Sequence, residues 1–391
     1  MGYSTPYIIL NIILIILSIL PYLLKKESSH KQVAFLSMLV FVVFFSFRGY
    51  VQTDTLNYYD LFLRLPNISE GFSSEPNYDK GFLIYMAFIK LFGLNYNHFI
   101  FISSIIDLIL LTILFRHYFS YKYYAFFLYL FLIFTGLEYE FNLMRNIKSV
   151  LLFLISVRYI YSRDFWSFIT LNLIGLSFHW TSIVFFPLYF FLHKELSLKS
   201  MSIYFVIGVL IYFMMPYLLT HFLQTISKLF PGYSLTDRIG TYLELTKFSI
   251  GKKFSPIDLA LIIWYFIILL SYNKIKNSSV ETICFLNLFV LYFLFSCMSS
   301  GMIIFRQRVA VLFEPSCWLL FIWLIKSQKS FNKILCFSLV VLYGMLLCYR
   351  KTNNDKLYYY DNFILSEKVI SIEERGEIYK KIKLDISKTN N

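Results

Sequence analysis

Apolar runs of bilayer-crossing length, separated by polar joints, set the pattern of this chain. Thr5–Leu24 and Ile257–Tyr272 are apolar on every side rather than along one stripe, as expected of helices surrounded by lipid and other helices. Membrane-spanning strands alternate polar and apolar residues, and these runs do not, so helices are expected. After the first run, the pattern predicts helices at about 33–47, 99–115, 123–138, 146–161, 165–178, 180–193, 201–219, 257–272, 281–298, 307–325 and 333–349. The fold class is therefore an all-α polytopic membrane protein with roughly 12 transmembrane helices. The short pair flanking His179 has a tilted or re-entrant hairpin as its alternative. Gly81–Leu94 is short and amphipathic, which suits the membrane interface.

The polar joints orient this array. Lys25/Lys26/Lys31, Arg116/Lys122, Arg158/Arg163, Lys194/Lys199, Lys274/Lys276 and Lys326/Lys329/Lys333 fall on alternate joints, so the positive-inside rule puts both termini outside. Residues 1–349 form the expected transmembrane domain, with 48–80 and 220–256 as large outer loops. Residues 350–391 form a polar C-terminal tail on the outer face, with a helical period around Ile370–Ile382. Thr5–Leu24 has no basic residues before it and no small-residue cleavage site after it, and is read as a helix rather than a secretory leader.

Composition agrees with this picture. Of 391 residues 58% are hydrophobic and 15% charged, with mean hydropathy +0.63, whereas a soluble domain carries about 25% charged residues. The net charge of +13 would suggest nucleic acid in a soluble protein. Here much of it sits at the ends of apolar runs as orientation signals, and no nucleic-acid partner is expected. The five cysteines lie in or beside apolar segments without metal-type spacing. The chain lacks a Gly-rich phosphate loop and an internal repeat, which argues against a nucleotide-driven pump.

Ionisable residues away from the inner joints carry the chemistry, because charge is costly at membrane depth. Phe47-Arg48-Gly49-Tyr50-Val51-Gln52-Thr53-Asp54, followed by Tyr58 and Tyr59, stands where the second helix leaves the membrane. Arg48 suits an anion there, with Asp54 orienting it or meeting sugar hydroxyls, and an Arg48–Asp54 ion pair ending a helix is the plain alternative. Glu75 precedes Pro76, which holds it extended at a defined angle. Arg145, in Glu138-Tyr139-Glu140-Phe141-Asn142-Leu143-Met144-Arg145-Asn146, opens an apolar helix, where its charge opposes the helix dipole. It needs an anionic ligand or a carboxylate nearby, and Glu138 or Glu140 could serve. His179-Trp180 lies between two apolar runs and is a base or a packing histidine. Arg306 and Arg308, one residue apart, face different sides of a helix. A shared ligand such as a pyrophosphate would explain Arg48, Arg145, Arg306 and Arg308 together. Tyr58, Tyr59 and Tyr358–Tyr360 suit either interfacial packing or stacking on sugar rings.

The order Phe-Arg-Gly-…-Thr-Asp-…-Tyr-Tyr over 47–59, Glu75-Pro76, Asn142-…-Met144-Arg145-Asn146, Ser177-Phe178-His179-Trp180 and Phe305-Arg306-Gln307-Arg308 resembles the EpsG family of Wzy-type polymerases. The resemblance runs from Arg48 to about Phe321. Gln52 stands where a glycine is common in the family, and Asn146 where a glutamine is usual. The resemblance implies glycosyl transfer, with inversion, at the outer face of a bacterial cytoplasmic membrane. A glycan on undecaprenyl pyrophosphate would move onto an incoming lipid-linked repeat unit. These lipid-linked donor and acceptor oligosaccharides are the implied partners, together with membrane lipids and a chain-length regulator. On that reading Arg48, Arg145, Arg306, Arg308 and Tyr58 bind substrate, while His179, Glu75 and Asp54 are the candidate bases. The lipid diphosphate is already activated, so no cofactor is expected, and no carboxylate cluster demands a metal. A flippase for the same lipid-linked unit, a polyprenyl-dependent ligase or other glycosyltransferase, and a structural scaffold are the alternatives.

Overall fold

A computed structural model describes residues 3–24, 26–65, 78–229, 255–301, 306, 308–353 and 355–389. The chain is helical, and among the described residues the only extended pairing is one antiparallel bridge between Arg48 and Asn362. Among the described residues six helices are long and apolar enough to cross a membrane: Thr5–Leu23, Glu27–Ser46, Tyr96–Tyr118, Tyr121–Phe141, Leu198–Met215 and Ser330–Thr352. Five shorter apolar helices, of 10 to 17 residues, accompany them. The all-α polytopic architecture stands. The chain divides into two compact units, one of residues 1–190 with 338–391 and one of residues 191–337.

The first unit opens with α1 (Thr5–Leu23) and α2 (Glu27–Phe41), the latter widening into a π-helical turn at Val42–Ser46. The polar segment that follows is not all loop, for it folds into α3 (Asp54–Arg64). Lys90, near the end of α4 (Lys80–Leu91), donates to the carbonyls of Phe62, Leu63 and Leu65 at 3.1, 3.0 and 2.9 Å. These are the acceptors that the end of α3 leaves without helical partners, so the cation caps it. Tyr58, Leu61 and Phe62 of α3 then pack with Phe82 and Met86 of α4 and with Phe99 of α5 (Tyr96–Tyr118). Asn95 starts α5 with a reciprocal capping box to His98.

α6 (Tyr124–Phe131) passes through a second π-helical turn, Leu132–Gly136, into α7 (Leu137–Phe141). α8 (Met144–Tyr161) and α9 (Phe165–Phe178) pack closely, because Gly175 leaves no side chain between its backbone and Ser149. Asn172 ties the pair by donating to Ser156 Oγ at 2.9 Å. Where a helix is expected over 180–193, Trp180–Phe190 is a 3₁₀ helix containing Pro187. It is fastened by the stacked rings of Phe153 and Phe185, 4.0 Å apart.

The second unit holds α10 (Leu198–Leu229), α11 (Pro256–Leu270), α12 (Tyr272–Lys276), α13 (Thr282–Met298) and α14 (Ser316–Ser327). α10 runs ten residues beyond the expected 219, and most of the expected loop after it lies outside the described residues. The expected helix over 307–325 is broken: Arg308 is helical, a 3₁₀ turn follows at Ala310–Leu312, and the regular helix runs from Ser316 after Glu314-Pro315. Tyr265, Phe289 and Phe293 form its aromatic centre. α15 (Ser330–Thr352) leads to the tail, which ends in α16 (Ile372–Thr389).

Candidate functional site

Two charged clusters form where α2 ends and α8 begins. Arg48 follows the π-helical turn of α2 and is enclosed, with its side chain 2% exposed. Its Nη1 donates to Phe45 O, to Ser104 Oγ at 2.8 Å and to Glu140 Oε2 at 3.3 Å, and its Nη2 donates to Glu140 O. Glu140, 1% exposed, also accepts from Ser104 Oγ at 3.0 Å. In an equally buried second pair, Lys148 of α8 meets both carboxylate oxygens of Asp107 in α5, at 3.1 and 3.0 Å, and Ser103 Oγ at 2.7 Å. Each cation thus faces a carboxylate and hydroxyl or carbonyl acceptors, which is what makes ionised groups tolerable away from water.

The expected Arg48–Asp54 pair does not form, because the carboxylate on Arg48 is Glu140. Arg48 is consumed internally and presents no free edge to a ligand. Asp107 and Lys148 were not singled out from the sequence. The available signal was a lone carboxylate and a lone ammonium within two apolar runs, which require each other at depth.

The second cluster is more open. Arg145, at the start of α8, has a side chain 18% exposed and pairs through Nη1 with Asp79 Oδ2 at 2.9 Å. Neither Glu138 nor Glu140 fills this role, since Glu138 pairs with Lys351 at 3.0 Å. The Arg145 guanidinium lies over the Tyr78 ring, 5.1 Å from its centroid, and its Nε donates to Tyr58 Oη at 3.4 Å. Among the described residues Nη2 has no hydrogen-bond partner. Asp79 Oδ1 accepts the Trp180 backbone N–H at 3.1 Å, so one carboxylate joins Arg145 to the turn after His179.

Burial raises the Asp79 carboxyl above the usual carboxylate range, outweighing the lowering by Arg145. Burial likewise pushes the Tyr58 phenol up to about 12, against the opposing pull of Arg145, so Tyr58 stays protonated at neutral pH. Asp54, the first residue of α3, stands one helical turn before Tyr58, is half-buried and acts electrostatically on that phenol.

His179 is buried at the end of α9, and its Nδ1 accepts the Thr181 backbone N–H at 3.2 Å with Thr181 Oγ1 at 2.7 Å. A neutral ring that accepts at Nδ1 carries its hydrogen on Nε2. Glu75 lies outside the described residues. In the second unit Arg306 pairs with Asp258 at 3.1 Å, and that carboxylate also accepts from Tyr212 Oη at 2.9 Å and from Ser255. Arg308 is exposed. Tyr358 is buried and Tyr360 stacks on Phe44 at 4.3 Å, so these two rings serve packing rather than sugar stacking. Among the described residues no three His, Cys, Asp or Glu side chains converge as metal ligands.

Helices of spanning length around one enclosed and one accessible charge cluster define a polytopic membrane protein with a candidate anion site. The chain belongs to the EpsG family, whose model matches residues 31–364; this is a Wzy-type polymerase-like family. No curated protein and no solved structure matches the chain.

Proposed function

We propose that the protein is a polysaccharide polymerase that joins undecaprenyl-pyrophosphate-linked oligosaccharide repeat units at the outer face of a bacterial cytoplasmic membrane. The observation that carries this reading is Arg145, a guanidinium held in place by Asp79 and Tyr58, with one amino group that has no partner among the described residues and a side chain 18% exposed. Such a group recognises a phosphate oxygen and stabilises the charge a diphosphate gains on leaving, an effect worth about 2.7–4 kcal/mol for a well-placed donor.

In the proposed step the acceptor hydroxyl oxygen attacks the anomeric carbon of the donor glycan. The bond from that carbon to the phosphate oxygen breaks, with inversion, and the lipid diphosphate departs with the bonding electrons. The hydroxyl proton passes to a base. Asp54, half-buried one helical turn before Tyr58, is a candidate for this last role, alongside His179 and Glu75. Tyr58 positions Arg145 rather than touching sugar, since it is buried. Arg306 is a second candidate for diphosphate oxygens.

Deletion of the gene, followed by display of surface glycan as a size ladder, tests this function. A polymerase leaves single repeat units in place of the ladder. Loss of all surface glycan would instead support a flippase.

A further inference from the structure

The tail holds buried charge that the proposed chemistry does not use. Arg375, near the start of α16, is 0% exposed. Its Nη2 donates to Tyr359 O at 2.8 Å, while Nε and Nη1 have no hydrogen-bond partner among the described residues. Asp361, also buried, acts on it electrostatically. Asp361 Oδ2 accepts the Ile370 N–H at 2.5 Å, and Oδ1 lies against Gly49. A Cβ on Gly49 would stand 1.9 Å from that oxygen, so only glycine fits without displacing Asp361.

Around this contact the tail is laced to the segment that carries Arg48. Phe363 N–H donates to Phe47 O at 2.8 Å, Gly49 N–H to Asp361 O at 2.9 Å and Gln52 N–H to Leu357 O at 3.1 Å. Tyr7 Oη donates to Tyr358 O at 2.9 Å, Tyr360 Oη to Phe44 O at 2.8 Å and Asn362 Nδ2 to Val43 O at 2.7 Å. These contacts are far apart in sequence and converge on one stretch of seven tail residues. Enclosed without a direct ion pair among the described residues, this guanidinium and carboxylate rely on each other's field and on the Tyr359 carbonyl and Ile370 N–H, so a half-docked tail is penalised.

We infer that the tail is a positioning clamp, in which Asp361 and Arg375 hold the backbone of residues 47–52 so that α3 presents Asp54 and Tyr58 in fixed register with Arg145. The inference rests on reading those three residues as the site. Arg375 and Asp361 are positioning residues and do not touch substrate.

The test uses the full chain in a Cys336→Ser background with a Thr53→Cys probe labelled by an impermeant maleimide, alongside steady-state polymerisation of lipid-linked repeats. Arg375→Ala is expected to raise KM by about tenfold to a hundredfold, with a smaller change in kcat. It is also expected to speed labelling at position 53, and Arg375→Lys to fall between it and wild type. Lys368→Ala, which breaks only the exposed pair with Glu374, leaves both readouts unchanged. Gly49→Ala, whose added Cβ displaces the Asp361 carboxylate, is expected to move both readouts in the same direction as Arg375→Ala. The inference is overturned if folded Arg375→Ala protein, or folded Gly49→Ala protein, labels at the wild-type rate with unchanged KM. A wild-type protein that makes no polymer would sink the functional reading, while the labelling arm still decides the clamp.

Discussion

Arg48 follows one apolar stretch and Arg145 opens another, both lie in short signatures, and both break the orientation rule, yet the structure treats them oppositely. Arg48 is sealed, with its donors spent on Glu140, Ser104 and the Phe45 carbonyl. Arg145 has one amino group without a partner among the described residues, and part of its surface is open. Ligand recognition needs donors left over after the fold is satisfied, and by that measure only Arg145 of the two qualifies. The sealed cluster has a different use, since it ties the end of α2 to α5 and α7, and Lys148 ties α8 to α5.

This contrast is broken most severely by Glu140→Ala. It strands the Arg48 guanidinium in an enclosed site at a cost of about 3–5 kcal/mol. Thermal unfolding in detergent should show the loss directly, with little folded protein recovered. Arg145→Ala should leave the folded amount near wild type and lower kcat/KM by about 10²–10³-fold. Similar unfolding for both variants would erase the distinction between the clusters.

Asp79→Asn sharpens the comparison through pH. The Asp79 pKa is raised in the fold, so its contribution to stability is fully present below the ordinary carboxylate pKa. That contribution is lost as pH rises through the raised value. The variant should therefore gain on wild type over that interval, seen in the difference between their melting temperatures across a pH series. A difference that does not vary with pH would mean that Asp79 is not strained by burial.

The smallest effect is expected at Gln52, whose φ of 67° is the left-handed conformation that glycine adopts freely. Gln52→Gly should lie within about 1 kcal/mol of wild type, on the stabilising side, whereas Gln52→Val should lose about 1–2 kcal/mol. Chemical denaturation of the two variants checks the sign.

Most of the helices were legible because an apolar run of spanning length permits little else. The start of α14 was misjudged although Pro315 marks it, and Pro187 marks the departure from α-helix at Trp180–Phe190. The unusual backbone at Gln52 was half legible, as a residue other than glycine where the family commonly has one. Which carboxylate serves which arginine was not legible at all. Glu140 is 92 residues from Arg48 and Asp79 is 66 from Arg145, and one sequence carries no record of such pairings. The tail read as polar and peripheral, since its buried face depends on Asp361 and Arg375 meeting partners that only the folded chain supplies.

The most direct test of the account is polymerisation of lipid-linked repeat units by purified wild-type and Arg145→Ala protein at matched folded concentrations, read as a product ladder. The account predicts a ladder from wild type and single repeats alone from the variant. Equal ladders from the two proteins would contradict it and return Arg145, like Arg48, to holding the fold.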